Sequence, residues 1–340
     1  MDQLLQLVAA DFLGKPVGAW LLFLGIVVAL LVFDLGLFNR RDETIGVRKS
    51  LVMSAFYIAV ALAFGAWVWV DHGREAGLAY LTGFVVEKSL ALDNVFVISL
   101  IFAAFAIPRA YQHRVLFWGI LGVLVLRGIM IAAGVALVEN FDWILYVFGA
   151  FLVVTGVRMF FADEAPQDIS QSRPIRLARR ILPVSPELDG HHFFVRRPDA
   201  LGRMKTFVTP LFLALVAIEF ADVVFAVDSV PAIFAISTDP YIVYTSNIFA
   251  ILGLRALYFA LAAMVHRFHY LKYALALLLV VVGGKIFVNQ IWGKVDPAIS
   301  LGLTLAILAG GVLFSLWKSP PAGHGTVQPG ASARSTSLTQ

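Results

Sequence analysis

Apolar residues in this chain run in blocks rather than alternating with polar ones. Nine blocks, at 18–38, 50–70, 78–106, 115–138, 143–161, 207–236, 242–264, 271–288 and 298–317, are separated by shorter polar stretches. Each is near the ~20 residues that a helix rising 1.5 Å per residue needs to cross a hydrocarbon core about 30 Å thick. Solid runs without a period of two argue against a transmembrane β-barrel. The first run has no basic stretch before it and no small-residue cleavage pattern after it, so it reads as a retained helix rather than a signal peptide. The pattern predicts an all-α polytopic membrane protein with about nine transmembrane helices.

The polar stretches carry an orientation signal, because Lys and Arg accumulate in cytoplasmic loops. If loops alternate sides, one set (39–49, 107–114, 162–206, the 265–272 connection and the tail from Lys318) holds eighteen Lys and Arg, and the other set holds three. This places the N-terminus outside and the C-terminus in the cytoplasm, the arrangement of a bacterial inner-membrane protein. The longest loop, 162–206, is rich in Arg and Pro, contains the pair His191-His192, and has room for short amphipathic helices. A His pair in such a loop reads as solvated rather than as a metal site. The stretch 319–340 is rich in Pro, Gly and Ser and has the composition of a disordered tail.

An internal repeat organises the spans. Glu87 and Asp93-Asn94-Val match Asp222 and Asp228-Ser229-Val; Leu126-Arg127 matches Leu254-Arg255; Thr155-Gly-Val-Arg158 matches Val282-Gly-Gly-Lys285. Each unit holds three helices, so the second enters the membrane from the opposite face. A 3+3 inverted repeat is the architecture of many secondary transporters, with the substrate site near mid-membrane at the interface of the units. The chain therefore divides into N-terminal helices (1–77), a first repeat (78–161), the basic cytoplasmic loop (162–206), a second repeat (207–288), a last span (289–318) and the tail (319–340).

Composition agrees and narrows the chemistry. The chain is 60% hydrophobic and 14% charged, against about 25% charged in an average soluble domain. It has no cysteine, which excludes disulfides, thiolate metal sites and thiol catalysis. The net charge of +4 reflects the loop residues that set topology and attract anionic lipid, so nucleic-acid binding is not implied.

Eleven charges lie inside the spans, where each costs at least ~2.5–3.5 kcal/mol on insertion scales. Six are acids: Asp34, Glu87, Asp93, Glu219, Asp222 and Asp228. Five are bases: Lys88, Arg127, Arg158, Arg255 and Lys285. Arg158 and Lys285 sit near helix ends and can snorkel. Arg127 and Arg255 are deep and are expected to pair with carboxylates that lock the repeats together. Residues seven apart share a helix face, which places Glu87 with Asn94 and Asp222 with Ser229. Residues six apart do not, so bringing Asp93 and Asp228 to the same point calls for a bent or unwound helix. Pro231 is the expected cause, because it cannot donate to the carbonyl of Val227. The resulting ligand set, Glu87, Asp93, Asn94, Glu219, Asp222, Asp228 and Ser229 with backbone carbonyls, is hard oxygen and suits Mn²⁺, Mg²⁺ or Ca²⁺. Asp34 reads equally as a vestibule ligand or a helix-end charge. No nucleophile, His–acid pair or cofactor motif accompanies these charges, so neither an enzyme nor a tightly bound cofactor is expected.

At these residues the chain resembles the TerC (tellurium-resistance C) family of integral membrane proteins, and within it the Alx-like manganese exporters. The matching stretches begin at Asp34-Leu-Gly-Leu-Phe, Thr82-Gly-Phe-Val-Val-Glu87, Arg114-Val-Leu-Phe-Trp, Phe148-Gly-Ala-Phe, Glu219-Phe-Ala-Asp222 and Asn247-Ile-Phe-Ala, and span about residues 20–290. The resemblance implies a role in metal-ion homeostasis, with Mn²⁺ efflux as the best supported activity; the family name implies tellurite resistance, which no residue here suggests. The leading expectation is a secondary transporter that exports a divalent cation, most of all Mn²⁺, with proton exchange as the natural coupling. The competing expectation is a non-transporting scaffold or sensor in metal, tellurite or envelope stress, whose buried charges are structural ion pairs. Assembly as a homo-oligomer is compatible with either.

Overall fold

The computed structural model describes residues 10–38, 46–141, 143–161, 173–198, 203–261 and 271–318, without the side chains of 35–38, 93, 173–174 and 290. The tail from 319 and part of the 162–206 loop therefore lie outside the described residues. The chain is a helical bundle: α1 (Val17–Phe38), α2 (Val47–His72), α3 (Arg74–Ala104), α4 (Arg109–Asn140), α5 (Ile144–Phe161), α6 (Arg173–Ile181), α7 (Pro210–Phe234), α8 (Pro240–Leu252), α9 (Leu254–Leu261), α10 (Leu271–Ile291) and α11 (Pro297–Lys318). Two small antiparallel hairpins complete it, β1 (Asp11–Phe12) with β2 (Lys15–Pro16), and β3 (Phe194–Pro198) with β4 (Met204–Val208).

Eight stretches are long and apolar enough to cross a membrane, α8 and α9 counting as one across Pro240–Leu261. The difference from the nine predicted runs is α3. At 31 residues it is long enough, but its interior carries Glu87, Lys88 and Asp93, and that charge density removes it from a purely apolar definition. The outer helices expose Val28 and Val32 on α1, Val125 and Ile129 on α4, and Leu303 and Leu313 on α11, as lipid-facing surfaces do. The chain is an all-α polytopic membrane protein.

The long loop holds more than the amphipathic helix expected of it. Besides α6 it contains the hairpin β3–β4, whose Val208 joins Ile175 of α6, Phe105, Val115 and Leu211 in one buried cluster. This cluster closes the bundle end where α3 finishes and α4 and α7 begin. A second cluster unites α1, α2, α3 and α8 through Phe23, Phe64, Tyr80 and Phe249, with Phe64 and Phe249 ring centroids 4.8 Å apart.

Two close helix contacts come from small residues. Backbones can approach only where no Cβ intervenes, a mode favoured in membranes because lipid tails offer no hydrophobic drive between helices. Between α5 and α10, a Cβ on Gly283 would sit 2.7 Å from the Gly149 carbonyl oxygen, and one on Gly156 would sit 2.6 Å from that of Ala276. The other contact is at Gly253, between α8 and α9, where an added Cβ would meet Lys88 Nζ at 2.8 Å and Tyr57 Cβ at 3.1 Å.

The helix break expected at Pro231 is absent. α7 runs through it to Phe234, since Pro231 falls in the last turn and forfeits one hydrogen bond without redirecting the chain. The interruption lies instead at Gly253, which separates α8 from α9.

Candidate functional site

Four helices converge on one guanidinium. Arg127, on α4 and 1% exposed, donates through Nε and Nη2 to the two oxygens of Asp222 on α7, at 3.1 and 3.0 Å. Its Nη1 reaches Glu87 Oε1 on α3 at 2.6 Å, Ser229 Oγ on α7 at 2.6 Å and Asn247 Oδ1 on α8 at 3.4 Å. A planar fork of five N–H donors meets this demand where an ammonium could not. Asp222 and Ser229, seven residues apart, lie on one face of α7 as the helical period requires. Asn94 and Glu87 do the same on α3.

Beside this knot is an intramembrane cavity of about 130 Å³. It is lined by Glu87, Leu90 and Asn94 of α3, Arg127 of α4, Thr155 and Met159 of α5, Phe225, Asp228 and Ser229 of α7, and Leu279 of α10. Thr155 and Asp228 line the same wall, and among the described residues no Lys or Arg forms a salt bridge with Asp228. Counted as ionised, the knot of Glu87, Asp222 and Arg127 carries one net negative charge, and Asp228 on the cavity wall adds a second. At roughly 30 Å³ per water in the liquid, the space holds a small ion with part of its hydration shell.

The remaining candidates are distributed elsewhere. Asp34 on α1 pairs with Arg255 at the start of α9, with Tyr57 against both, and all three are buried. Asp34 is thus a buried ion-pair partner near the end of α1, and Arg255 ties α9 to α1 rather than one repeat to the other. Glu219 on α7 packs over Gly122 of α4, where a Cβ would collide with its carboxylate. Its Oε2 is buried without a hydrogen-bond partner among the described residues. Asp93 lies on α3, but its side chain is outside the described set. Of the eight predicted ligands, the structure gathers Glu87, Asn94, Asp228 and Ser229 at the cavity and Asp222 behind Arg127; Glu219 sits one turn from Asp222 outside the lining, and Asp34 lies apart with Arg255. Among the described residues, no group of three or more His, Cys, Asp or Glu side chains is close enough to hold a metal ion, His191 and His192 included. The chemistry of the cavity is mixed: carboxylates, an amide, hydroxyls and one thioether.

Four participants were missed in the sequence: Tyr57, Thr155, Met159 and Asn247. Three had a signal that went unread. Thr155 and Met159 flank Arg158 within the repeated motif of α5, and Asn247 is a buried amide inside an apolar span. Lys88 was recognised as a buried base, but its partner was not. Its Nζ donates to the Ala250 carbonyl at 3.0 Å, which the interruption at Gly253 leaves open.

A family model described as the integral membrane protein TerC family matches residues 72–322. An uncharacterized membrane protein of Myxococcus xanthus, STKORF319, is 47% identical over 306 residues, covering 90% of this chain and 94% of its own length. A protein of Escherichia coli (strain K12) named "Putative membrane-bound redox modulator Alx" is 44% identical over 313 residues, covering 89% and 95%. An uncharacterized membrane protein of Rickettsia felis is 44% identical over 306 residues and is covered along all of its length. No solved structure matches. A model spanning most of the chain, and relatives this similar from end to end, agree with the acidic motifs around Glu87 and Asp222: the chain belongs to the TerC family of integral membrane proteins.

Proposed function

We propose that the protein exports a divalent cation, foremost Mn²⁺, from the cytoplasm by secondary transport through the cavity between α3, α5 and α7. The observation that carries this reading is a cavity of about 130 Å³ bearing Asp228, Asn94 and Ser229 beside a carboxylate knot, the carboxylates exceeding the one guanidinium by two charges. Ionisable groups buried in a membrane bundle mark ion pathways by default, and a polar cavity with two net negative charges in and beside it matches a dication. Arg127 holds Glu87 and Asp222 in place and keeps the knot from collapsing onto the ion. Protons are the counter-ion of this scheme, taken up by carboxylates as the cation leaves.

The scheme needs nine spans, with α3 as the charged one, an inner-membrane location, and the N-terminus outside. It is supported by which helices pair: α3 packs on α8 as α4 packs on α7, and α5 packs on α10, the exchange a two-fold axis between 78–161 and 207–288 would generate. Neither a nucleic acid nor a resident cofactor enters the mechanism, and no chemical reaction is catalysed. A redox role of the kind named for the Escherichia coli relative would here operate without thiols, since the chain has no cysteine.

Flux in proteoliposomes tests the proposal. Purified protein is expected to move Mn²⁺, faster with an opposing pH gradient, and Asp228→Asn is expected to lower the rate by at least about tenfold, the 1.4 kcal/mol that one lost ligand readily costs, while leaving the fold intact. Wild-type rates in the variant would refute the site.

A further inference from the structure

The oxygen-only ligand set expected from the sequence omits one atom type that the structure brings to the cavity. Met159 lies one helical turn beyond Thr155 on α5, and both residues line the cavity that Asp228, Asn94 and Ser229 share. Asp228 lines the cavity with Thr155, and Met159, one turn on, lines the same small space. Met159 is also packed against the apolar cluster of α5, α10 and α11, which gives its side chain a fixed root.

The geometry points to Met159 as the residue that selects a first-row transition-metal dication, Mn²⁺ or Fe²⁺, against Mg²⁺ and Ca²⁺. The inference rests on the transport reading above and supplies its substrate class. Carboxylates, amides and hydroxyls bind Mg²⁺, Ca²⁺ and Mn²⁺ with similar chemistry, and cells hold far more of the first two, so oxygen ligands alone do not discriminate. A thioether is a soft, neutral donor. Mg²⁺ and Ca²⁺ gain nothing from it and surrender hydration to approach it; a transition-metal ion gains a bond, and a softer ion such as Cd²⁺ gains more. Sulfur on one wall and carboxylate on the other therefore raises the affinity for transition metals while lowering it for alkaline earths. The alternative role for Met159 is plain packing, which an isosteric leucine would fulfil equally.

That isostere makes the test. Mn²⁺ uptake by proteoliposomes is measured for wild type and Met159→Leu against increasing Mg²⁺, Ca²⁺ and Cd²⁺, and Mn²⁺ binding to both purified proteins is measured by calorimetry. In wild type, Cd²⁺ should compete strongly and Ca²⁺ weakly. In Met159→Leu, Mn²⁺ flux should persist, Cd²⁺ competition should weaken and Ca²⁺ competition should strengthen, each by about tenfold, the scale of modest changes around a metal site. If wild type transports Mn²⁺ and the variant keeps the same ion ranking, Met159 only packs and this inference alone falls. If wild type neither binds nor transports Mn²⁺, the transport reading falls and takes the inference with it.

Discussion

A single side chain, Arg127, determines how the buried charges are arranged. A guanidinium this deep can exist only because Asp222 takes it through both oxygens while Glu87, Ser229 and Asn247 satisfy Nη1. Breaking such a network by deleting one partner leaves the others buried and unpaired, at a cost of about 3–5 kcal/mol. Arg127→Gln should therefore unfold in detergent at a clearly lower temperature than wild type. Adding Glu87→Gln and Asp222→Asn to it should restore much of the loss, because neutral groups of similar size remove the unpaired charges. Glu219 stands at the other extreme: its Oε2 has no hydrogen-bond partner among the described residues. Glu219→Gln is thus expected to change melting little, by less than about 1 kcal/mol as for substitutions that sever no network. A drop in Mn²⁺ flux in that variant, read at fixed pH gradient, would mark Glu219 as part of proton coupling rather than of the fold.

At the scale of elements, the helices were legible and their irregularities were not. The apolar runs fall on helices, eight stretches of them long and apolar enough to cross a membrane, because a long apolar stretch has one stable state in lipid, with all backbone groups bonded internally. The interruption was misplaced because Pro231 has a strong local rule attached to it, whereas Gly253 acquires its meaning only from Lys88 and Tyr57 of other helices. The hairpin β3–β4 went unseen for the same reason: its five-residue strands gain stability by docking Val208 onto the bundle end. Pairing partners behaved alike. That Arg127 and Arg255 would each find a carboxylate followed from their depth, but which carboxylate is a tertiary fact, and Arg255 found Asp34 outside either repeat. The glycine contacts give a direct check on α5 and α10. Gly283→Leu must push a side chain into the Gly149 carbonyl region, and overpacking of this kind costs roughly 1–3 kcal/mol or more. A comparable leucine at Gly284, where a Cβ meets nothing, should be tolerated, and paired melting curves separate the two.

For the whole molecule, sidedness is directly testable. The chain contains no cysteine, so single cysteines can be introduced without first preparing a thiol-free background. An impermeant maleimide applied to intact cells should label Lys294→Cys and spare Arg197→Cys, and lysis should expose the second. The reverse pattern would invert the direction of transport. What the sequence carried to this scale was the placement of charge: basic residues concentrated in one set of loops, and a buried minority of which Glu87, Arg127 and Asp228 meet at one cavity. The cavity's full lining was beyond reach because Thr155, Met159 and Leu279 arrive from helices whose neighbours only folding decides.

The glycine seam between α5 and α10 has a mechanical consequence. Two backbones in carbonyl contact at Gly149–Gly283 and Gly156–Ala276 cannot slide past one another or separate without leaving a void that lipid is too bulky to fill. They can still rotate about the line of contact. The cavity lies immediately alongside, with Thr155 and Met159 on one rod and Leu279 on the other. In the proposed transport scheme the seam would serve as the pin of a rocker: a few degrees of rotation there would swing α3 and α7 through a longer arc at the far wall, while Thr155 and Met159 would stay almost still.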